Sequence, residues 1–331
     1  MTLDVAEFAK VLKQPFERNA EPGDDVLIIT DTEVADSVRT ALFTAATQLD
    51  LDPTLTVMTP RKRDNNDPTR LIGEAMKESD VYVTAVSKAL AHSRPSAAAQ
   101  EAGKKLIIMS EISPDILRSG AAKANYDKMQ RIADALGDIY AEGKEIRVTD
   151  DNGTDVVADI EDRTYWPSAG TASKRPEPPY ACAFPDGEVG VCPAEGSTQG
   201  TVVWDTSLHD IGWLDEPIEL EVEDGWVTNI SGGKEAEQYR QILEEDGDEN
   251  ARYCAAEIAL GINDGAEFSG RMRTDKKVYG SVHIATGDNI DIGGDIESDL
   301  HIDGVIGSPT VWVDDRKLAE DGEILIEPKE E

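Results

Sequence analysis

Gly23-Asp-Asp-Val-Leu-Ile-Ile-Thr30 decides the fold of this chain. Its apolar run, Val26 to Ile29, is too short for a helix and lies between turn-forming residues and Asp31, the pattern of a buried strand. Val34, Val38, Leu42 and Leu49 then recur at helical spacing. Thr54-Leu-Thr-Val-Met58, Asp80-Val-Tyr-Val-Thr84 and Lys105-Leu-Ile-Ile-Met109 repeat the strand pattern. Asp67-Pro68 is expected to open one intervening helix, with Pro in the first turn, and a second helix runs from Ser96 to Ala102. Met1 to Lys13 reads as a short amphipathic helix, and Met129, Ile132, Ala133, Leu136, Ile139 and Tyr140 mark a longer one. Strands alternating with helices predict an α/β, doubly wound, mainly parallel sheet over residues 1–145, with helices on both faces. The turn after the first strand, Asp31-Thr-Glu-Val-Ala35, has no Gly-x-Gly-x-x-Gly and carries acids that repel phosphate. A nucleotide role is therefore disfavoured.

Beyond Glu145 the pattern changes. Ile146-Arg-Val-Thr149 and Val156-Val-Ala-Asp-Ile160 flank Asn152-Gly153, which reads as a β-hairpin. Residues 165–185, rich in Pro, Ser and Gly, read as a long loop or linker. Short strands are expected at 201–204, 218–222, 226–230, 279–285, 300–302 and 310–313, and helices at 235–245 and 249–260. Residues 146–331 thus form the second expected domain, a β-rich α+β domain.

Composition narrows the function. The 331 residues include 67 Asp and Glu against 32 Lys and Arg, for a net charge of −35, and the acids are spread from end to end. Such a surface repels itself in dilute buffer and is tolerated where salt screens it, so it reads as an adaptation to high salt. It offers no basic face for nucleic acid. No stretch is long and apolar enough to span a bilayer, and the N-terminus lacks a signal-peptide pattern. Three sparse cysteines, Cys182, Cys192 and Cys254, suit a reducing cytoplasm and read as small buried residues.

The chemistry gathers late in the chain. His283 sits in Gly280-Ser-Val-His-Ile-Ala-Thr-Gly287, and His301 and Asp303 in Leu300-His-Ile-Asp-Gly304. Alternate residues of a strand share a face, so His301 and Asp303 can reach one ion while Ile302 points to a core. Glu257, in Tyr253-Cys-Ala-Ala-Glu-Ile-Ala-Leu-Gly261, is expected on a helix, and Glu188 follows the Gly187 turn. An isolated Glu in an acidic chain is by default a solvated surface group. Three carboxylates and two imidazoles exceed one closed tetrahedral site and suit two divalent ions that share a bridging carboxylate and water. His92 lies after the third strand, where open α/β sheets place ligand contacts, and is a candidate substrate residue. His209 reads as a loop histidine in solvent.

Phe184-Pro-Asp-Gly-Glu-Val189 followed by Gly200-Thr-Val-Val203, then Asn263-Asp-Gly-Ala266, His283-Ile-Ala-Thr-Gly-Asp-Asn289 and His301-Ile-Asp303, resemble in order the motifs of the aminopeptidase T family of metallopeptidases. The resemblance implies an α/β N-terminal domain, a C-terminal domain with two divalent ions (Zn, Co or Mn), and a homodimer enclosing the active sites. It implies Glu188, Glu257, His283, His301 and Asp303 as metal ligands. Two features depart from it. Ile290 stands where the peptidases carry a tyrosine near the metals, and Phe184 and Asp186 stand where they favour Leu and Ala. The Gly287-Asp-Asn289…Gly293-Gly294 pattern also resembles shorter relatives that include a 2,5-dihydroxypyridine dioxygenase.

Three functions follow from this reading. The first is an aminopeptidase removing N-terminal residues from peptides, with Glu188 or Glu257 as the bridging and catalytic carboxylate activating the shared water. The alternative is a mononuclear Fe(II) dioxygenase that opens a small aromatic ring, with His283, His301 and Asp303 as its two-His-one-carboxylate face. The third is a non-catalytic binding protein on the same scaffold. Retention of every carboxylate and imidazole position favours hydrolysis.

Overall fold

The computed structural model describes residues 3–172 and 180–329. The chain divides into two compact units: one comprises residues 1–124 and 168–186, the other 125–167 and 187–331. This differs from a single boundary at residue 145: the long helix Tyr126–Glu142 belongs with the second unit, and residues 168–186 return to the first.

The first unit is built on a five-stranded, all-parallel sheet in the order Asp52–Met58, Asp25–Asp31, Val81–Ala85, Lys105–Ile108, Ala181–Ala183. The run that opened the reading, Val26 to Thr30, is buried throughout, as its unbroken apolar character requires of a central parallel strand. Successive strands are joined by helices, among them Asp36–Thr47, Arg70–Glu78 and Arg94–Glu101. Residues 67–69 correct one expectation: Pro68 stands ahead of the helix, whose cap is Thr69, its hydroxyl accepting a bond from the Ile72 amide at 3.4 Å. The N-terminal helix is longer than expected and runs from Leu3 to Asn19 through Pro15. At the end of the first strand Asp31 is fully buried and fixes its own turn. It accepts bonds from the Ser87 amide and hydroxyl, both at 2.7 Å, and from the Glu33 amide at 2.9 Å. The expected 165–185 linker contains the short strands Tyr165–Ser168 and Ala181–Ala183, while residues 173–179 lie outside the described residues.

The second unit carries two larger sheets. One has eight antiparallel strands, including the expected hairpin Glu145–Thr149 and Asp155–Asp159. The other has seven, ordered Gly212–Trp213, Ser207–Leu208, His301–Ile306, Val282–Gly287, Cys254–Gly261, Glu188–Val191, Tyr165–Ser168. Lys234–Glu245 is helical as expected, whereas residues 249–260 are not the predicted helix. Cys254–Gly261 is a strand paired on both sides, and all eight of its residues are buried. Ala255-Ala-Glu-Ile-Ala-Leu260 is rich in helix formers and shows no alternation, because both faces are covered. Burial between two partner strands overrides the local propensity. No helix among the described residues is long and apolar enough to cross a membrane.

Candidate metal centre

Strand pairing assembles the site. Directly paired residues of antiparallel strands share a face. Gly261 pairs with Glu188, Glu257 with Ala285, Ala259 with His283, Ala285 with Asp303, and Gly287 with His301. The register therefore puts all five donors on one face of the seven-stranded sheet, from four neighbouring strands. It also puts a glycine or alanine directly across from each of them on one flanking strand, although His283 meets Val305 on its other side. These small partners leave open the volume that larger cross-strand neighbours would fill, so the donors lean towards one another.

The resulting distances are short. His283 Nε2 is 2.9 Å from Glu257 Oε1 and 3.8 Å from Glu188 Oε2. His301 Nε2 is 3.3 Å from Glu257 Oε2 and 3.2 Å from Asp303 Oδ1. Glu188, Glu257 and His283 form one compact group of possible ligand atoms, and Glu257, His301 and Asp303 form a second. Glu257 belongs to both and turns one oxygen to each imidazole. Of the two glutamates considered as a bridge, it is the one so placed.

A cation fits this donor set. The Nδ1–H of His301 donates to the Asp288 carbonyl at 2.7 Å, which leaves Nε2 facing the carboxylates of Glu257 and Asp303. A bare lone pair there would meet two anions, so a proton or a metal ion has to sit between them. The protonation behaviour expresses the same demand. Burial alone would lower the His301 pKa, yet Asp303 and Glu257 raise it well above the ordinary histidine value. Burial would raise the carboxylates. Lys276 and His301 nonetheless hold Asp303 well below the usual range, and His283 and Lys276 do the same for Glu257.

Two lysines complete the cluster, and the sequence reading passed over them. Lys276 Nζ is 3.0 Å from Asp303 Oδ2, and Lys277 Nζ is 2.5 Å from Glu188 Oε2. Burial opposes the Lys276 charge, but Asp303, Glu257 and Glu188 more than offset it and raise its pKa. Both lysines lie just after the short helix Met272–Asp275, in the connection between the Glu257 and His283 strands. Gly261 admits this connection, since a Cβ there would collide with the Lys277 and Val278 backbones. A signal was present: adjacent lysines are conspicuous in so acidic a chain and lie only seven residues before His283.

The other two histidines are not among the grouped donor atoms. His92 is exposed in the first unit, between the third strand and the helix Arg94–Glu101, where its amide donates to Asn65 Oδ1 at 3.2 Å. His209 is half-buried rather than free in solvent, and its amide donates to the Asp303 carbonyl at 3.0 Å. All three cysteines are buried and none is in a disulfide.

Comparison with known proteins agrees with this architecture. The family model described as 2,5-dihydroxypyridine 5,6-dioxygenase matches residues 7–326. The curated 2,5-dihydroxypyridine 5,6-dioxygenase of Pseudomonas putida is 24% identical over 263 residues, covering 76% of this chain and 72% of that protein. The solved structure of 2,5-dihydroxypyridine dioxygenase from P. putida superposes with a TM-score of 0.83 at 20% identity, covering 97% of this chain and 96% of the other. Wild-type AmpT from Thermus thermophilus superposes with a TM-score of 0.70 at 19% identity, covering 97% and 99%. The chain belongs to the 2,5-dihydroxypyridine 5,6-dioxygenase family and shares its fold with AmpT.

Proposed function

We propose that this protein is a metal-dependent dioxygenase that opens a small hydroxylated nitrogen-containing aromatic ring. The supporting observation is the family match over residues 7–326, joined to a buried donor cluster whose most exposed member is His301. His301, Asp303 and Glu257 would hold the ion, with His283 behind Glu257. Fe(II) in such a site would supply the reactivity towards dioxygen that ring cleavage needs. The chain's own contribution is positional. Asp288 fixes the His301 tautomer through its carbonyl, and Lys276 and Lys277 neutralise carboxylates that would otherwise be buried as bare anions. The test is anaerobic reconstitution with Fe(II) in molar salt, then addition of 2,5-dihydroxypyridine and air. Consumption of dioxygen in step with loss of the ring chromophore is expected; no uptake with a fully loaded protein would overturn the proposal.

A second reading rests on one specific observation. Glu257 belongs to two donor groups, as a carboxylate shared between two ions would. On that reading the protein is an aminopeptidase, and release of N-terminal residues from peptides with Zn, Co or Mn, without dioxygen uptake, would favour it.

A further inference from the structure

His209 lies beside the donor cluster without belonging to it. It follows the two-residue strand Ser207–Leu208, at the tip of the hairpin completed by Gly212–Trp213. Leu208 pairs with Gly304, and the His209 amide donates to the Asp303 carbonyl at 3.0 Å, so His209 stands directly across from Asp303. Residues bonded this way share a face of the sheet, with Cα atoms about 5.5 Å apart. Asp303 therefore has Ala285 on one flank and a histidine on the other. The two imidazoles beside Asp303 differ. His301 engages both ring nitrogens, one with the Asp288 carbonyl and one with two carboxylates. His209 Nδ1 is buried and meets no hydrogen-bond partner among the described residues. His209 as a whole is only half-buried, at the end of the cluster where the His301 and Lys276 side chains are 32% and 20% exposed.

We propose that His209 holds the organic substrate, with its Nδ1 hydrogen-bonded to a ring hydroxyl. The inference rests on the dioxygenase reading and names the residue that orients the ring. A buried polar nitrogen without a partner carries an uncompensated desolvation cost, which a hydrogen bond from a ligand offsets. The other polar side chains at this end of the cluster are already engaged: Lys276 with Asp303, and His301 with Asp288, Glu257 and Asp303. A hydroxylated nitrogen-containing ring carries several polar groups in one rigid plane. With one of them directed at the donors Glu257, His301 and Asp303, another can reach the neighbouring strand, where His209 stands across from Asp303. A neutral imidazole donates from one ring nitrogen and accepts at the other, so this contact needs no additional charge in an already charged site. A site built to bond a hydroxyl also rejects an analogue that lacks it.

The test is ligand binding without turnover. The full-length protein, loaded with Fe(II) in molar salt, is titrated by calorimetry under strict anaerobiosis with 2,5-dihydroxypyridine, 2-hydroxypyridine and 3-hydroxypyridine. His209→Ala is expected to bind 2,5-dihydroxypyridine about tenfold more weakly than wild type. His209→Asn, whose amide stands near the Nδ1 position, should recover to within about threefold of wild type. The monohydroxylated ring that lacks the contacted hydroxyl should bind wild type and His209→Ala alike, whereas the other should keep the difference. Mn(II) affinity should be the same in wild type and both variants, because the backbone bond from His209 to Asp303 is retained. Equal binding of 2,5-dihydroxypyridine by wild type and His209→Ala, no recovery in His209→Asn, an equal loss for both monohydroxylated rings, or a fall in Mn(II) affinity as large as that for the ring would each overturn the inference and leave the dioxygenase reading standing. A wild-type protein that fails to take up Fe(II), or takes it up and does not bind the dihydroxylated ring, would overturn that reading, and this inference with it.

Discussion

The parallel sheet of the first unit and the seven-stranded sheet of the second bury their central strands equally well, yet for different purposes. In the first, Val26 to Ile29 fill both faces with branched aliphatic side chains. In the second, Cys254–Gly261 is just as buried but presents Glu257, Ala259 and Gly261 to the donor face, and each donor has a glycine or alanine directly across from it on one flanking strand. The first strand is built for packing density. The second gives up side-chain volume on one face to make room for polar groups and a cation.

Substitutions that treat one sheet like the other should separate these roles. The largest effect is expected from Glu257→Gln, which removes the carboxylate common to both donor groups. Metal affinity should fall by at least about 100-fold with the fold retained, as read by calorimetry beside circular dichroism. In the parallel sheet, Ile28→Ala should cost about 2–5 kcal/mol of stability by denaturant titration and leave the metal count unchanged. Ala285→Leu adds bulk opposite both Glu257 and Asp303, and should cost about 1–3 kcal/mol while also weakening metal binding. Equal metal affinity in Ala285→Leu and wild type would break the comparison, because the small residues would then have no bearing on the site.

Proton linkage gives a smaller effect. His301 is raised above the ordinary histidine pKa, so the metal-free protein carries that proton at neutral pH and an incoming ion must displace it. Metal affinity should therefore rise with pH, by up to about tenfold per unit below the His301 pKa, with release of up to about one proton measurable by calorimetry in buffers of different ionisation enthalpy. An affinity independent of pH between 6 and 8 would contradict this. The smallest effect concerns the thiols. Burial pushes Cys192 up to about 11 and Cys254 up to about 12, so neither should react with a thiol reagent at pH 8 until the protein is unfolded.

The contrast between the sheets also explains what the sequence disclosed. Val26–Thr30 and its parallel partners were legible because a continuous apolar run between turn residues has few other uses. His301 and Asp303 were legible because a polar-apolar-polar alternation states its own geometry. Glu257 lies beside the other expected donors but on a strand in place of the expected helix: alanine and leucine favour a helix locally, and only pairing with the Glu188 and His283 strands makes the segment extended. The long-range register that sets a small residue opposite each donor has no local signature. Lys276 and Lys277 were missed because a charged pair near a turn is ordinarily a solvated face, and the path that buries Lys277 runs against Gly261, far from it in sequence.

The central claim is that four strands of one sheet bring Glu188, Glu257, His283, His301 and Asp303 together around a cation. Anomalous X-ray scattering from a crystal of the Mn(II)-soaked protein tests it directly. A peak bound by His301 Nε2, Asp303 and Glu257 is the predicted result. A fully soaked crystal with no peak at this cluster, and His301 still paired with its carboxylates as a protonated imidazole, would contradict it.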